Sequence, residues 1–84
     1  HEHAQLADQL RRATISVPLN IAEASGKPGR ADRARYHAIA GGSAMECGAI
    51  VDLLRLQGLA SDDKLDEAKS LLVRVVGMLS RMSR

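Results

Sequence analysis

An all-α fold, an antiparallel helical bundle in a single domain spanning residues 1–84, is predicted by three features of this chain. Its apolar residues are almost entirely Ala, Leu, Ile, Val and Met; Tyr36 is the one aromatic, and Phe and Trp are missing. Good helix formers therefore dominate, and the aromatics that favour strands are nearly lacking. Apolar positions also recur at spacings of three and four along three long segments, which Ser25–Gly29 and Gly58–Ser61 separate with turn-forming residues. A domain this small buries only roughly 60% of its unfolded surface, so self-association or further chain is expected to complete its core.

The first helix is predicted over about residues 4–24. At 100° per residue, Leu6, Ala7, Leu10, Ala13, Thr14, Val17 and Ile21 share one side and form a core stripe. Gln5, Asp8, Gln9, Arg12, Ser16, Asn20 and Glu23 share another. A second apolar set, Ala4, Ile15, Leu19 and Ala22, lies on a third side, which implies two packing partners. Pro18 cannot donate to the carbonyl of Thr14 and crowds it, so a kink is expected. The apolar stripe passes Val17 and Ile21 without changing phase, which favours one helix over two. Gly26 is expected to take a left-handed cap and Pro28 to prevent continuation. The loop glycines do not have the spacing of a phosphate-binding loop.

The second helix is predicted over about residues 31–57. Its middle, AIAGGSAMECGAIVDLL, is apolar or small nearly all round, so it reads as the central helix. Three internal glycines, Gly41, Gly42 and Gly48, each cost about 1 kcal/mol relative to Ala, which points to close helix approach. The third helix is predicted over about residues 61–83, with Ser61 as N-cap and Asp62 and Asp63 in the first turn, where the helix dipole favours acids. Leu65, Ala68, Leu72, Val75, Leu79 and Met82 form its packing stripe, widened by Leu71, Val76 and Met78.

The formal charge is only +2, but it is unevenly placed. Lys27, Arg30, Arg33 and Arg35 cluster against Asp32 alone; Lys69, Arg74, Arg81 and Arg84 end the chain with no acid among them; Asp62, Asp63, Asp66 and Glu67 lie between. Cys47 stands alone, so neither a disulfide framework nor a CxxC metal or redox motif is encoded. Together with the lack of an apolar run of about 18 residues and of a signal peptide, this reads as a cytoplasmic protein without a membrane span. His1, His3, His37 and Cys47 lack zinc-ligand spacing. No Ser, His and Asp occur in a context that supports hydrolysis. Neither a metal, a cofactor, a small-molecule substrate nor a catalytic residue is expected, and the chain reads as a non-enzyme.

Two stretches, QLRRATISVPLNIAE and IAGGSAMECG, resemble the four-helix-bundle family encoded in intervening sequences of bacterial ribosomal RNA genes. The pattern falls on Gln9, Arg11, Arg12, Ala13, Ser16, Val17, Pro18, Asn20, Ile21, Ala22 and Glu23, then on Ile39, Ala40, Gly42, Ser43 and Glu46. Ala24 departs from the usual Gly, and Gly29 from the usual Ser cap. The family normally has another helix before these segments, so three helices here and four in the complete protein are expected. The Ala4, Ile15, Leu19 and Ala22 side is what that helix would cover. The resemblance implies a closed homo-oligomeric ring, a pentamer, without enzymatic activity and with a nucleic-acid connection.

Two sets of site residues follow. Arg12, Ser16, Asn20 and Glu23, with Ser43 and Glu46 on the second helix, are expected to form a structural polar network in which Arg12 pairs with Glu46 or Glu23. Lys27, Arg30, Arg33 and Arg35 are the candidate nucleic-acid contacts, read against a simple solvated face. Tyr36 beside them is a poor stacking platform by itself. The leading function is a self-assembling scaffold or adaptor that binds RNA or DNA backbone without base specificity. The competing reading is a structural oligomer that serves a protein partner.

Overall fold

The computed structural model describes residues 2–83, and His1 and Arg84, which entered the metal and basic-terminus readings, lie outside them. Three helices follow in order: α1 (Glu2–Ser25), α2 (Arg30–Leu56) and α3 (Asp62–Met82). Their bounds differ by one or two residues from those read in the sequence. Short turns reverse the chain twice and make neighbours antiparallel. α2 packs on both α1 and α3, whereas α1 and α3 do not pack on each other. The Cα trace measures 44 × 24 × 13 Å, and with α2 between two helices that do not pack on each other the three form an open, curved layer.

Small residues make this arrangement. The buried set is Ala13, Ala24, Ala40, Ala44, Cys47, Ile50, Val51, Leu65 and Leu79, with α2 supplying most of it. Gly41 lets the Leu79 side chain come within van der Waals reach, since a Cβ built there would lie 3.7 Å from Leu79 Cβ. At Gly48 the aliphatic stem of Lys69 occupies the same kind of space, and its ammonium goes on to Asp52 at 2.6 Å. The lysine thus covers apolar surface with its stem while its charge stays paired at the rim. A Cβ placed at Gly42 would have no neighbour within 4 Å, so this glycine serves no contact inside the chain.

Local signals worked differently at the two turns. α1 runs through Pro18 as a continuous helix of 24 residues. Gly26 closes it without a left-handed residue, its N–H bonding the carbonyls of Ala22 and Glu23. The left-handed position is Gly58, φ 66°, after α2: its N–H bonds Arg55 O at 3.1 Å and the N–H of Leu59 bonds Leu54 O at 3.0 Å. That paired pattern is a Schellman motif, and glycine is the residue that adopts its φ without steric cost. Ser61 is the N-cap of α3 by position, but its side chain makes no capping bond.

A layer leaves apolar surface uncovered. Ile15 and Leu19, on the third side of α1, are 49% and 60% exposed. The larger opening is elsewhere: a groove of about 490 Å³ runs between α1 and α3 over α2, lined by Leu10, Val17, Val51, Leu71 and Val75 among others. Leu10 and Val17, read in the sequence as closed core, are therefore half-buried at the wall of this groove.

Candidate nucleic-acid interface

The antiparallel order places the end of α1, the start of α2 and the end of α3 together. His37 fixes the last of these, its Nδ1–H donating to the carbonyl of Met82 at 3.3 Å. Arg81, read in the sequence as part of the basic C-terminus, thereby lies at the same end of the layer as Lys27, Arg30, Arg33 and Arg35, with its guanidinium turned back along α3 beside Gly77. Five cations meet two acids there, Glu23 and Asp32. Arg30, Arg35 and Arg81 take part in no ion pair among the described residues, while Lys27 reaches Glu23 at 3.5 Å.

Tyr36 organises this end. Lys27 Nζ lies 5.2 Å and Arg35 Cζ 4.8 Å from the centre of its ring, and Arg35 Nη2 donates to the phenol oxygen at 3.2 Å. A ring attracts cations through its quadrupole, so Tyr36 gathers two like charges that would otherwise spread apart. Its position next to Arg35 is legible in the sequence, but there it reads as a poor stacking platform and gives no signal that the ring gathers two cations. Arg33 has a different surrounding from its neighbours: it is half-buried, and its Nη1 donates to Lys27 O at 3.1 Å and Pro28 O at 2.7 Å.

The polar network is assembled in part. Ser16 and Ser43 hydroxyls meet at 2.8 Å across the α1–α2 contact. Asn20 Nδ2 donates to the Ser16 carbonyl at 2.8 Å and to Ser16 Oγ at 3.0 Å. Arg12 instead pairs with Asp8 at 2.9 Å, one turn back on its own helix, and Glu23 pairs with Lys27. Glu46 has no ion-pair partner among the described residues. The reason is reach: an i, i+4 pair needs no bridging of two helices, and Arg12 is held at 72% side-chain exposure at the mouth of a cleft of about 430 Å³ lined by Gln9, Ser16, Ser43 and Glu46. The expected Arg12–Glu46 and Arg12–Glu23 pairs are thus replaced by Arg12–Asp8.

Other chemistry finds little here. Cys47 is buried against Thr14, whose hydroxyl is 3.7 Å from its sulfur and donates to Leu10 O at 2.7 Å. No described helix is long and apolar enough to cross a membrane. Among the described residues no group of three or more His, Cys, Asp or Glu is gathered.

No curated protein and no solved structure matches the chain. A family model does match, over residues 1–81, and its description is 23S rRNA-intervening sequence protein. The match spans both motif stretches, all of α1 and α2 and nearly all of α3, and so agrees with the resemblance carried by Ser16 to Glu23 and Ile39 to Glu46. The chain belongs to the 23S rRNA-intervening sequence protein family.

Proposed function

We propose that the protein is a non-enzymatic, self-assembling helical scaffold or adaptor that binds the phosphate backbone of RNA or DNA, without base specificity, through the end of the layer where α1 turns into α2. The observation that carries this reading is that Arg81, in the last turn of α3, lies at the same end of the layer as the basic segment from Lys27 to Arg35, far from it in sequence. Cations left without acidic partners suit a polyanion, because phosphate contacts release counterions and supply sequence-independent affinity. Tyr36 engages two cations and is not presented as a bare platform, which favours backbone contact over base stacking. The family's connection with ribosomal RNA points the same way. Each chain carries a modest charge, and a closed homo-oligomer, a pentameric ring in this reading, would multiply it into a multivalent surface. We place its action in the cytoplasm.

Binding of mixed-sequence RNA and DNA, measured at rising salt, tests this. Log affinity should fall linearly with log salt, and Arg30→Gln with Arg35→Gln should reduce the slope by about 0.9 for each phosphate contact removed. No binding at low salt sinks the reading. The second reading, an oligomer that serves a protein partner, is favoured by the apolar groove between α1 and α3. Solution mass of the full chain alongside the binding assay separates the two.

A further inference from the structure

We infer that Arg33 is a positioning residue for the basic end: it latches the α1–α2 turn so that Lys27 and Arg30 act together on one phosphate backbone. This rests on the polyanion reading and goes beyond it, since Arg33 is otherwise equivalent in charge to its three neighbours.

Besides Pro28, whose ring fixes its φ, and the bonds from Gly26 N–H to Ala22 O and Glu23 O, the turn has few other restraints. Neither Gly26 nor Gly29 adopts a positive φ, so no left-handed residue dictates its path. Gly29, the N-cap of α2, offers no side chain to bond the first turn, and a Cβ built there would meet nothing within 4 Å. What holds the segment is a small set of bonds. Lys27 N–H reaches Ala24 O at 3.1 Å, Arg33 N–H reaches Gly29 O at 3.1 Å, and the Arg33 guanidinium takes two successive carbonyls, Lys27 O and Pro28 O. One Nη1 carries two hydrogens, and each carbonyl takes one of them. Charge-assisted bonds of this kind are among the stronger ones in a protein.

The consequence is geometric. Lys27 is pinned at its backbone by Arg33 and at its side chain by the ring of Tyr36 and by Glu23. Arg30 begins α2 immediately beyond the latched carbonyls and is exposed. Arg33 itself is turned back onto the chain, whereas Arg30 and Arg35 have no carboxylate partner among the described residues. A latch of this kind lowers the ordering cost of binding, because the cations are already placed when the polyanion arrives.

A double-mutant cycle on RNA affinity decides the point. With a short mixed-sequence RNA duplex at fixed low salt, Arg30→Gln should weaken binding about fivefold in the wild-type chain and less than about twofold when Arg33→Gln is already present. Arg33→Gln alone should lower the salt slope by more than the roughly 0.9 expected of a single lost phosphate contact, because Lys27 and Arg30 lose their placement with it. Helical circular dichroism checks that both variants remain folded. Additive losses, with a slope change for Arg33→Gln equal to that for Arg30→Gln, would make Arg33 one more phosphate contact and overturn the positioning role. Absence of wild-type binding at low salt would overturn the polyanion reading itself, and it is seen before any variant is made.

Discussion

The two ends of the layer use similar residues in opposite ways. At the acidic end, where α2 leaves and α3 begins, Arg55 bridges the helices to Asp62 at 3.4 Å and Asp66 at 2.7 Å, and Lys69 on α3 returns to Asp52 on α2. Arg55 and Lys69 are thus held by carboxylates across the α2–α3 contact, while Lys64 has no ion pair among the described residues. At the basic end Lys27 alone reaches a carboxylate among the described residues, Glu23 at 3.5 Å; Lys27 and Arg35 lie against the Tyr36 ring and Arg33 on backbone carbonyls, neither of which neutralises charge. An ion pair closes a surface electrostatically; a cation held by π-electrons and carbonyl dipoles stays available to a polyanion. The difference explains how a formal charge of only +2 is compatible with a strongly basic patch.

The most severe way to break the contrast is through the core residues that anchor α3 at each end. Leu65 at the acidic end and Leu79 at the basic end are 4% and 2% exposed. Replacing either with Ala should lower stability by about 2–5 kcal/mol, a large share of what a small domain possesses. Denaturant unfolding followed by helical signal measures it. Leu79 holds the last turn of α3, and with it Arg81, beside His37, so Leu79→Ala should also weaken RNA binding at denaturant-free conditions. Leu65→Ala should leave that binding nearly unchanged so long as the chain stays folded. Equal losses of binding in the two variants would remove Arg81 from the basic surface.

A milder change sharpens the acidic side. Arg55→Ala removes both cross-helix pairs, and because its side chain is one-third exposed and its partners are largely in solvent, the cost should be about 0.5–1 kcal/mol, shrinking further in high salt. Its RNA affinity should stay within about twofold of wild type, since Arg55 is held by Asp62 and Asp66 at the end opposite the basic cluster. A tenfold loss would mean that the acidic end also meets the polyanion and would dissolve the contrast between the two.

How much of this is legible in the sequence depends on the range of the interaction. Helix content and order are, because apolar periodicity is a local property that packing reinforces along α1, α2 and α3. The cluster from Lys27 to Arg35 is visible as well, being contiguous. Four features are not. Arg81 belongs to the basic end only through antiparallel topology and the His37–Met82 bond. Helical faces assign Arg12 to Glu46, yet the nearer Asp8 on its own helix captures it. The glycine-rich loop points to Gly26 as the left-handed residue, whereas the hydrogen-bond pattern that demands one forms at Gly58. Facing apolar stripes also give no hint that the helices lie in a layer, since Leu10 and Val17 look the same in sequence whether a groove or a closed core receives them.

Ser61 carries the smallest expected effect and tests the gap between sequence signal and geometry at the acidic end. A Ser followed by two acids and an apolar stripe is a strong N-cap signature, and removing a working cap ordinarily costs about 1 kcal/mol. Here the backbone of Ser61 is extended, φ −70° and ψ 145°, as a cap requires, and its carbonyl accepts the N–H of Leu65 at 3.1 Å, yet its hydroxyl bonds nothing in the first turn. The start of α3 is secured instead by the negative charge of Asp62 and Asp63 near the positive pole of the helix and by the bridge from Arg55 to Asp62. Ser61→Ala should therefore shift stability by no more than about 0.3 kcal/mol, well below the usual cap loss. Chemical unfolding can resolve that difference. A loss near the usual value would show that the hydroxyl caps α3 in solution, and that the first turn owes less to its acidic residues than the arrangement here implies.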